Sequence, residues 1–464
     1  MQLNGDGTNR EQTGKFESKF QTVLAPLRGN GKRNDLPLIS SSKWKRNVAL
    51  FMVGQGITLF GSSLVYFAVM WHITLETQSG LMMTFIMIAG MLPTFLVSPI
   101  AGVWADRFSK KNLIIISDAF TAFVTLIMAV MFTLGYEFMS LLLICLAARA
   151  AARGVQMPAF NAMIPELVPD ESLTRINGIN ASIQTFMTFA SPALGGVLLA
   201  IAPVHLLLFI DVFTTAIGIS ILLFFVKMFV HSGESEKKTG AKQYFTEIGE
   251  GFKYIGRHSL LKKGLIISAL LNFMIASTAM TPLQVTRNWG EDLWNMFGAF
   301  SLGAEHRLAI TEMGYSGGLV LGGIVIGIWR GFKNKNYTFA LSTVLVGFAT
   351  IGLGIVTNFW LYSICMLLVG LFLSIRGAPI MSMLQLNISR AYMGRSMSVL
   401  MMTATLFVQL GMMLWGPLAD IMEIEWLLLG AGGFIALMGV RIFFDKTLTK
   451  AGSVAQRTDD SSGS

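Results

Sequence analysis

LMMTFIMIAGMLPTFLVSPIAGVWADRFSKK, residues 81–111, sets the architecture of this chain. Residues 81–104 carry no charge and run longer than the ~20 apolar residues that a bilayer-spanning helix requires. Asp106, Arg107, Lys110 and Lys111 follow at once, as they would at a water boundary. Apolar runs of the same kind occupy 47–71, 112–134 and 138–160, and others begin near Leu173, Val204, Gly264, Met313, Thr338, Phe359, Met397 and Trp426. One such run can be the buried helix of a soluble protein, whereas twelve in series imply a polytopic membrane protein.

The composition agrees. Hydrophobic residues make up 53% of the 464 positions, charged residues 13%, and the mean hydropathy is +0.62. A soluble domain carries about 25% charge, so much of this exterior faces something other than water. Residues 1–46 are polar, lack the apolar core of a secretory signal, and are expected to be a disordered tail. Cys145 and Cys365 both fall inside expected spans, which leaves neither a disulfide framework nor a cysteine metal site.

Charge placement orients the chain. With the amino terminus inside, 23 of the 35 basic residues lie in inner loops and flanks, and only Arg287 and Arg307 lie in outer loops. Because Lys and Arg resist translocation, both termini are expected in the cytoplasm. The net charge of +9 is then a topology signal suited to anionic lipid, and no nucleic-acid partner is implied. The inner loop around 227–263 divides six spans from six.

An internal duplication supports that division. Ile144-Cys145 with Arg153-Gly154 is echoed by Ile364-Cys365 with Arg376-Gly377, and Gly102-Val-Trp104 by Gly327-Ile-Trp329, all at offsets of about 220–225. The expected domains are a tail (1–46), a six-helix bundle (47–229), a linker (230–262), a second six-helix bundle (263–446) and a carboxy-terminal tail (447–464). Two facing bundles enclose a cavity at the membrane midplane.

Three motifs carry a family resemblance. Gly102-Val-Trp-Ala-Asp106-Arg107-Phe-Ser-Lys110-Lys111 closely resembles the G-x-x-x-D-R-x-x-[RK]-[RK] loop signature of the major facilitator superfamily. Ser191-Pro192-Ala-Leu-Gly195-Gly196 resembles the G-P-x-x-G-G motif of its drug–proton antiporters, with serine in place of the first glycine; a plain helix kink is the other reading. Gly54-Gln55, Arg149, the segments 158–162 and 165–169, and Ile210-Asp211-Val212 are similar to the macrolide-efflux and enterobactin-exporter branch. The resemblance covers residues 47–446. It implies an all-α membrane protein: twelve transmembrane helices in two pseudo-symmetric six-helix bundles, the major facilitator fold, with both termini cytoplasmic. It also implies that Asp106 latches an inner gate and that Gly102 lets helices approach closely there. The chain departs from this branch in a long outer stretch, 287–312, where Trp289, Trp294 and Phe297 suggest an interfacial helix, and in a second-half copy of the loop signature that lacks the acid.

Charges inside spans mark pathways or bracing pairs. Arg149 and Arg153 lie four apart on one helical face, and Arg376 is the repeat partner of Arg153; all three are expected at the cavity or its inner mouth. For Arg153 and Arg376, helix bracing and substrate contact stand as equal readings, while the resemblance links Arg149 to proton coupling. Asp211 is the expected reversible acid, and Asp118 is expected to pair with Arg107 or Lys111. Gln55, Gln184, Asn272 and Gln385 supply neutral hydrogen-bonding groups to a cavity or between helices. The 29 Met and 34 Phe residues suit both a permissive cavity and lipid contact.

No metal cluster, nucleophile elbow or phosphate loop appears in the sequence, so neither an enzyme nor a nucleotide-driven pump is expected, and no cofactor. The expected function is export of small amphipathic molecules, such as a macrolide-like drug or secreted metabolite, by alternating access, with protons as coupling ion. The protein is expected as a monomer, multi-pass in a bacterial cytoplasmic membrane. Two alternatives stay open: a siderophore or lysolipid carrier that recognises an anionic group, and a membrane sensor or scaffold that transports nothing.

Overall fold

The computed structural model describes residues 41–136, 138–169, 172–226, 241–289, 294–296, 300–302, 304–389 and 392–453. Fourteen α-helices run through them: α1 (Ser41–Thr77), α2 (Gly80–Arg107), α3 (Lys110–Thr133), α4 (Met139–Leu167), α5 (Leu173–Ile201), α6 (Val204–Phe224), α7 (Ala241–Arg257), α8 (Ser259–Ile275), α9 (Thr281–Trp289), α10 (Ala304–Trp329), α11 (Lys335–Ile355), α12 (Phe359–Leu386), α13 (Met393–Ile421) and α14 (Ile424–Phe444). Among the described residues, eleven stretches are helical, long and apolar enough to cross a membrane; α8 and α9 form one of them, Ser259–Trp289, joined by a 3-10 turn at Ala276–Met280. Helix α5, with 29 residues, occupies the place of the remaining expected span.

Local chemistry explains the helix ends. Ser79 accepts from the Met82 amide to cap α2, Ser109 from Asn112 to cap α3, Asn334 from Asn336 to cap α11, and Asn358 from Trp360 and Leu361 to cap α12. Gly135 and Gly331 adopt φ of +81° and +77° in the turns after α3 and α10, where a side chain would be strained.

Helix α1 takes in residues 41–46 of the expected tail, and residues 1–40 lie outside the described residues. Two expectations need correction. The stretch 287–312 is no interfacial helix. Arg287 belongs to α9, Trp294–Met296 pairs antiparallel with Phe300–Leu302 as a short hairpin, and α10 begins at Ala304. Arg307 explains the early start of α10: it is buried, donates to the Trp289 carbonyl at 2.6 Å and sits over the Phe359 ring, so a polar first turn is held inside protein. Arg307 is therefore a helix residue rather than a loop charge. The described part of the linker is the amphipathic helix α7, fastened to α13 by Glu250–Arg395 at 2.7 Å and by stacked Tyr254 and Tyr392.

Close packing relies on small residues where lipid supplies no hydrophobic drive. Helix α10 meets α12 at Gly318, Gly322 and Gly370, each of which faces backbone carbonyl oxygen of the partner. Helix α11 meets α14 at Gly347, Gly432 and Gly439. Helix α2 packs on α13 and α5 on α10, which joins the first six helices to the later ones. A Cβ at Gly432 would lie 2.7 Å from the Ile351 nitrogen, whereas one at Gly433 meets nothing within 4 Å. We therefore expect Gly432→Val to destabilise the protein by about 1–3 kcal/mol in detergent melting and Gly433→Val to leave the melt unchanged; equal melts would refute the packing assignment.

Candidate functional site

Two buried polar clusters brace the first six helices. In one, Arg149 of α4 donates to Asp211 of α6 at 2.6 Å and to the Thr125 hydroxyl of α3. Thr125 and Ser62 each donate to the same Asp211 carboxylate, at 3.0 and 3.2 Å. Gly61 makes room for it, since a Cβ there would fall 2.9 Å from Asp211 Oδ1. Asp211 is fully buried with its oxygens occupied, so Arg149 and Asp211 form a structural brace linking α1, α3, α4 and α6. In the other cluster, Asp118 accepts from Gln55 at 3.1 Å and Gln156 at 2.7 Å, and Gln156 also donates to Gln55. Asp118 does not pair with Lys111, whose ammonium reaches the Leu223 and Val226 carbonyls beyond the end of α6. The expected pairing fails because Asp118 lies two turns into α3 and faces the glutamines instead.

Between the first six and the later helices lies a cavity of about 490 Å³. Its walls include Tyr66, Phe67, Met70, Met87 and Met91 from α1 and α2, and Glu312, Tyr315, Met366, Arg376, Gln409 and Met412 from α10, α12 and α13. The 3-10 turn between α8 and α9 lines it too, with Asn272 beside it; interrupted helices of this kind are often hinges. Five methionines give the wall a soft, adaptable surface. Two opposite charges face this space. Among the described residues Glu312 has no hydrogen-bond or ion-pair partner, and Arg376 carries a buried Nη1 with none. Glu312 escaped the sequence reading because that stretch was assigned to an outer loop. A helical apolar pattern extended one turn before Met313 would have exposed it.

The cavity is roofed at the end opposite the 102–111 loop. There Asp420, near the end of α13, accepts from the Gly80 and Leu81 amides at 2.6 and 2.9 Å and from Ser79 Oγ at 2.8 Å. Arg287 of α9 donates to Asp420 at 3.1 Å and to the Gln78 and Ala419 carbonyls at 2.6 Å each. Thr84 donates to the Met412 carbonyl, and a Cβ at Gly80 would overlap the Gly416 carbonyl oxygen. A carboxylate at the positive end of α2 thus seals α2 against α13. At the other end, a Cβ at Gly102 would meet nothing within 4 Å among the described residues, so the expected close helix approach is not seen at that glycine. Arg153 and Gln385 are exposed, Arg153 lining a cleft with Gln184 and Gln55.

These features can be set beside known proteins. A family model described as transmembrane secretion effector, of the major facilitator type, matches residues 48–461. The chain belongs to this major facilitator family. The transporter is 24% identical over 392 residues to macrolide efflux protein A of Streptococcus pyogenes, covering 84% of this chain and 93% of that protein. It is 28% identical over 207 residues to the multidrug efflux pump Tap of Mycobacterium bovis, covering 44% of this chain and 48% of Tap. Its fold is similar to that of a bacterial homologue of the iron transporter ferroportin in an inward-facing state, with a TM-score of 0.62 at 16% identity, covering 86% of this chain and 99% of that one. The protein is a multi-pass membrane transporter and not an enzyme.

The transporter's remaining motif residues divide by position. Ser191 is buried with its hydroxyl unpartnered, and Gly195 packs at ordinary distance on Phe67 of α1. The side chains at Asp106 and Pro192 and the surroundings of Gly196 lie outside the described residues. Arg107 is exposed, and Lys110 pairs with Glu166 of α4 at 2.6 Å. Breaking one partner of a buried ion pair costs about 3–5 kcal/mol, while replacing both by apolar groups is often neutral. Arg149→Met alone should therefore abolish the folded transporter in detergent size-exclusion, and Arg149→Met with Asp211→Leu should recover it. If the double variant is as unstable as the single one, the brace assignment is wrong.

Proposed function

We propose that the chain is a twelve-span exporter of amphipathic molecules carrying a protonatable amine, driven by inward proton flow across a bacterial plasma membrane. In this reading helix α5 is the twelfth span and both termini are cytoplasmic, supported by the length of α5 and by the basic loops. The observation that carries this reading is Glu312, an unpaired acid facing a methionine- and aromatic-lined cavity between the two sets of helices. Names of the relatives, macrolide and multidrug efflux proteins, support the direction and the amphipathic class.

The mechanism follows from one carboxylate serving two ligands. Open to the cytoplasm, ionised Glu312 attracts the ammonium of an entering substrate while thioether and aromatic walls take its apolar body. After the far end opens, a proton from outside neutralises Glu312 and the substrate loses its counter-charge. The neutral carboxyl then crosses back and releases its proton inside. The gates exchange by a symmetry written in the sequence: α2 ends in Gly102-Val-Trp-Ala-Asp106 and α13 in Gly416-Pro-Leu-Ala-Asp420. Because α2 and α13 run antiparallel, Asp420 caps α2 at one end, and the matching sequence position gives Asp106 the same role at the start of α13 when the inner end closes. Arg376 favours a second reading, a carrier for an anionic group, in which its unpartnered Nη1 would bind the anion.

Everted membrane vesicles supplied with labelled erythromycin on the outside separate these readings. Wild type should accumulate the label when energised and lose it on adding a protonophore. Glu312→Gln, fixed neutral and without the counter-charge for the ammonium, should drop uphill accumulation to background and weaken exchange of labelled for unlabelled drug without a gradient. Uphill transport that survives the protonophore would sink proton coupling, and full activity of Glu312→Gln would remove Glu312 from it. Arg376→Gln abolishing transport of anionic compounds alone would favour the carrier reading.

A further inference from the structure

A second cavity lies outside the transport path. Helices α11 and α14 touch through Gly347, Gly432 and Gly439, and beside the contact at Gly439 they leave a groove of about 480 Å³ open to the surroundings. Leu341 and Val344 form its floor, Val440 and Phe444 one wall, and Tyr337 stacks on Phe443 at 4.8 Å across it. Its lining exposes no polar surface. Phe332 closes the end nearest the turn between α10 and α11.

That end is basic and rigid. Arg330 and Lys333 flank Phe332, Lys446 follows Phe444 by two residues, and the stretch 330–344 holds no acid. The helical turn 446–453 is tied to the turn before α11: Asn334 donates to the Thr449 carbonyl at 3.0 Å, and Asn336 to Thr449 Oγ1 at 3.1 Å and to the Ile442 carbonyl. This brings Lys450 to the same mouth. The nearest acid, Asp445, is consumed by Lys263 at 2.9 Å. Burial works to raise its pKa, but Lys263 and the Leu448 and Thr447 amides outweigh it and hold the carboxyl below its ordinary value, ionised and paired. Arg330, Lys333, Lys446 and Lys450 have no acidic partner among the described residues.

An apolar slot between two membrane-spanning helices, ending in four cations without an acidic partner among the described residues, matches one chemistry. We propose that this groove is a specific site for an anionic glycerophospholipid, one acyl chain between α11 and α14 and the phosphate against Arg330, Lys333, Lys446 and Lys450. The site is on the cytoplasmic leaflet in the orientation proposed above, but the binding itself does not depend on that orientation. Positive charge placed only for topology would need no groove, and a groove filled by bulk lipid would need no charge. The coincidence of both at a cross-braced end is what selects an anionic lipid. Each Lys or Arg near an anionic surface is worth about 1 kcal/mol, or about fivefold in affinity.

Native mass spectrometry of the full chain in mild detergent tests the proposal, with phosphatidylglycerol and phosphatidylcholine of identical chains as probes. One phosphatidylglycerol per protein should be retained at least about 25-fold more tightly than phosphatidylcholine, at about fivefold for each of two or more cations. Lys333→Gln with Lys446→Gln should cut that preference by roughly 25-fold if both charges act, at about fivefold each. Val440→Trp fills the groove at a lipid-facing position and should remove the bound lipid while leaving the detergent melting temperature and erythromycin transport unchanged. Equal retention of the two lipids overturns the site. So does phosphatidylglycerol preference that survives Val440→Trp, since that would be surface charge alone, or a dimer mass with the groove covered by a second copy.

Discussion

A charge inside a bilayer must find a partner or face water, and this constraint sorts the intramembrane charges of the transporter into two kinds. Arg149 and Asp211 find each other, with Thr125 and Ser62 completing the carboxylate's shell, and the pair then pins four helices together. Glu312 and Arg376 do not, and both face the central cavity. The first kind is architecture, because removing either member strands a charge. The second kind has no partner among the described residues, and it is these charges that the proposed function assigns to ligands and protons.

The same constraint shapes the gates. The unsatisfied amides at a helix start need acceptors, and where two helices meet end to end one carboxylate can supply them across the interface. Asp420 does so for α2, assisted by Arg287, and Gly80 and Gly416 let the backbones touch. Such a contact is partly exposed, and its carboxylate and amides can all be rehydrated. It holds one end shut without making the closure irreversible. In the Arg149–Asp211 pair the carboxylate is wholly enclosed by protein, which suits it to a part that keeps its shape while the ends exchange.

Much of the fold was legible because the lipid requirement is local: twenty apolar residues in a row make a helix whatever surrounds them. The spans, the caps at Ser79 and Ser109, and the amphipathic α7 all follow from neighbours in sequence. What was not legible depends on partners distant in the chain. Asp118 sits near lysines in sequence but meets Gln55 and Gln156 in space. The polar start of α10 reads as loop until Arg307 is seen to dock on Trp289, and that misreading hid Glu312. Asp420 reads as an ordinary helix end until the first helical turn of α2 arrives to claim it. Gly102 carries a packing signal that finds no close neighbour among the described residues.

Alternating closure of the two ends is the claim on which the account stands, and a distance across the far end tests it most directly. Spin labels at Phe138 and Trp360, the starts of α4 and α12, would be placed in a chain lacking Cys145 and Cys365 and measured by double electron–electron resonance in lipid. The account predicts a single short separation for the otherwise wild-type transporter and a second, longer population once Asp420→Ala removes the cap on α2. Identical distance distributions for the two proteins would contradict it.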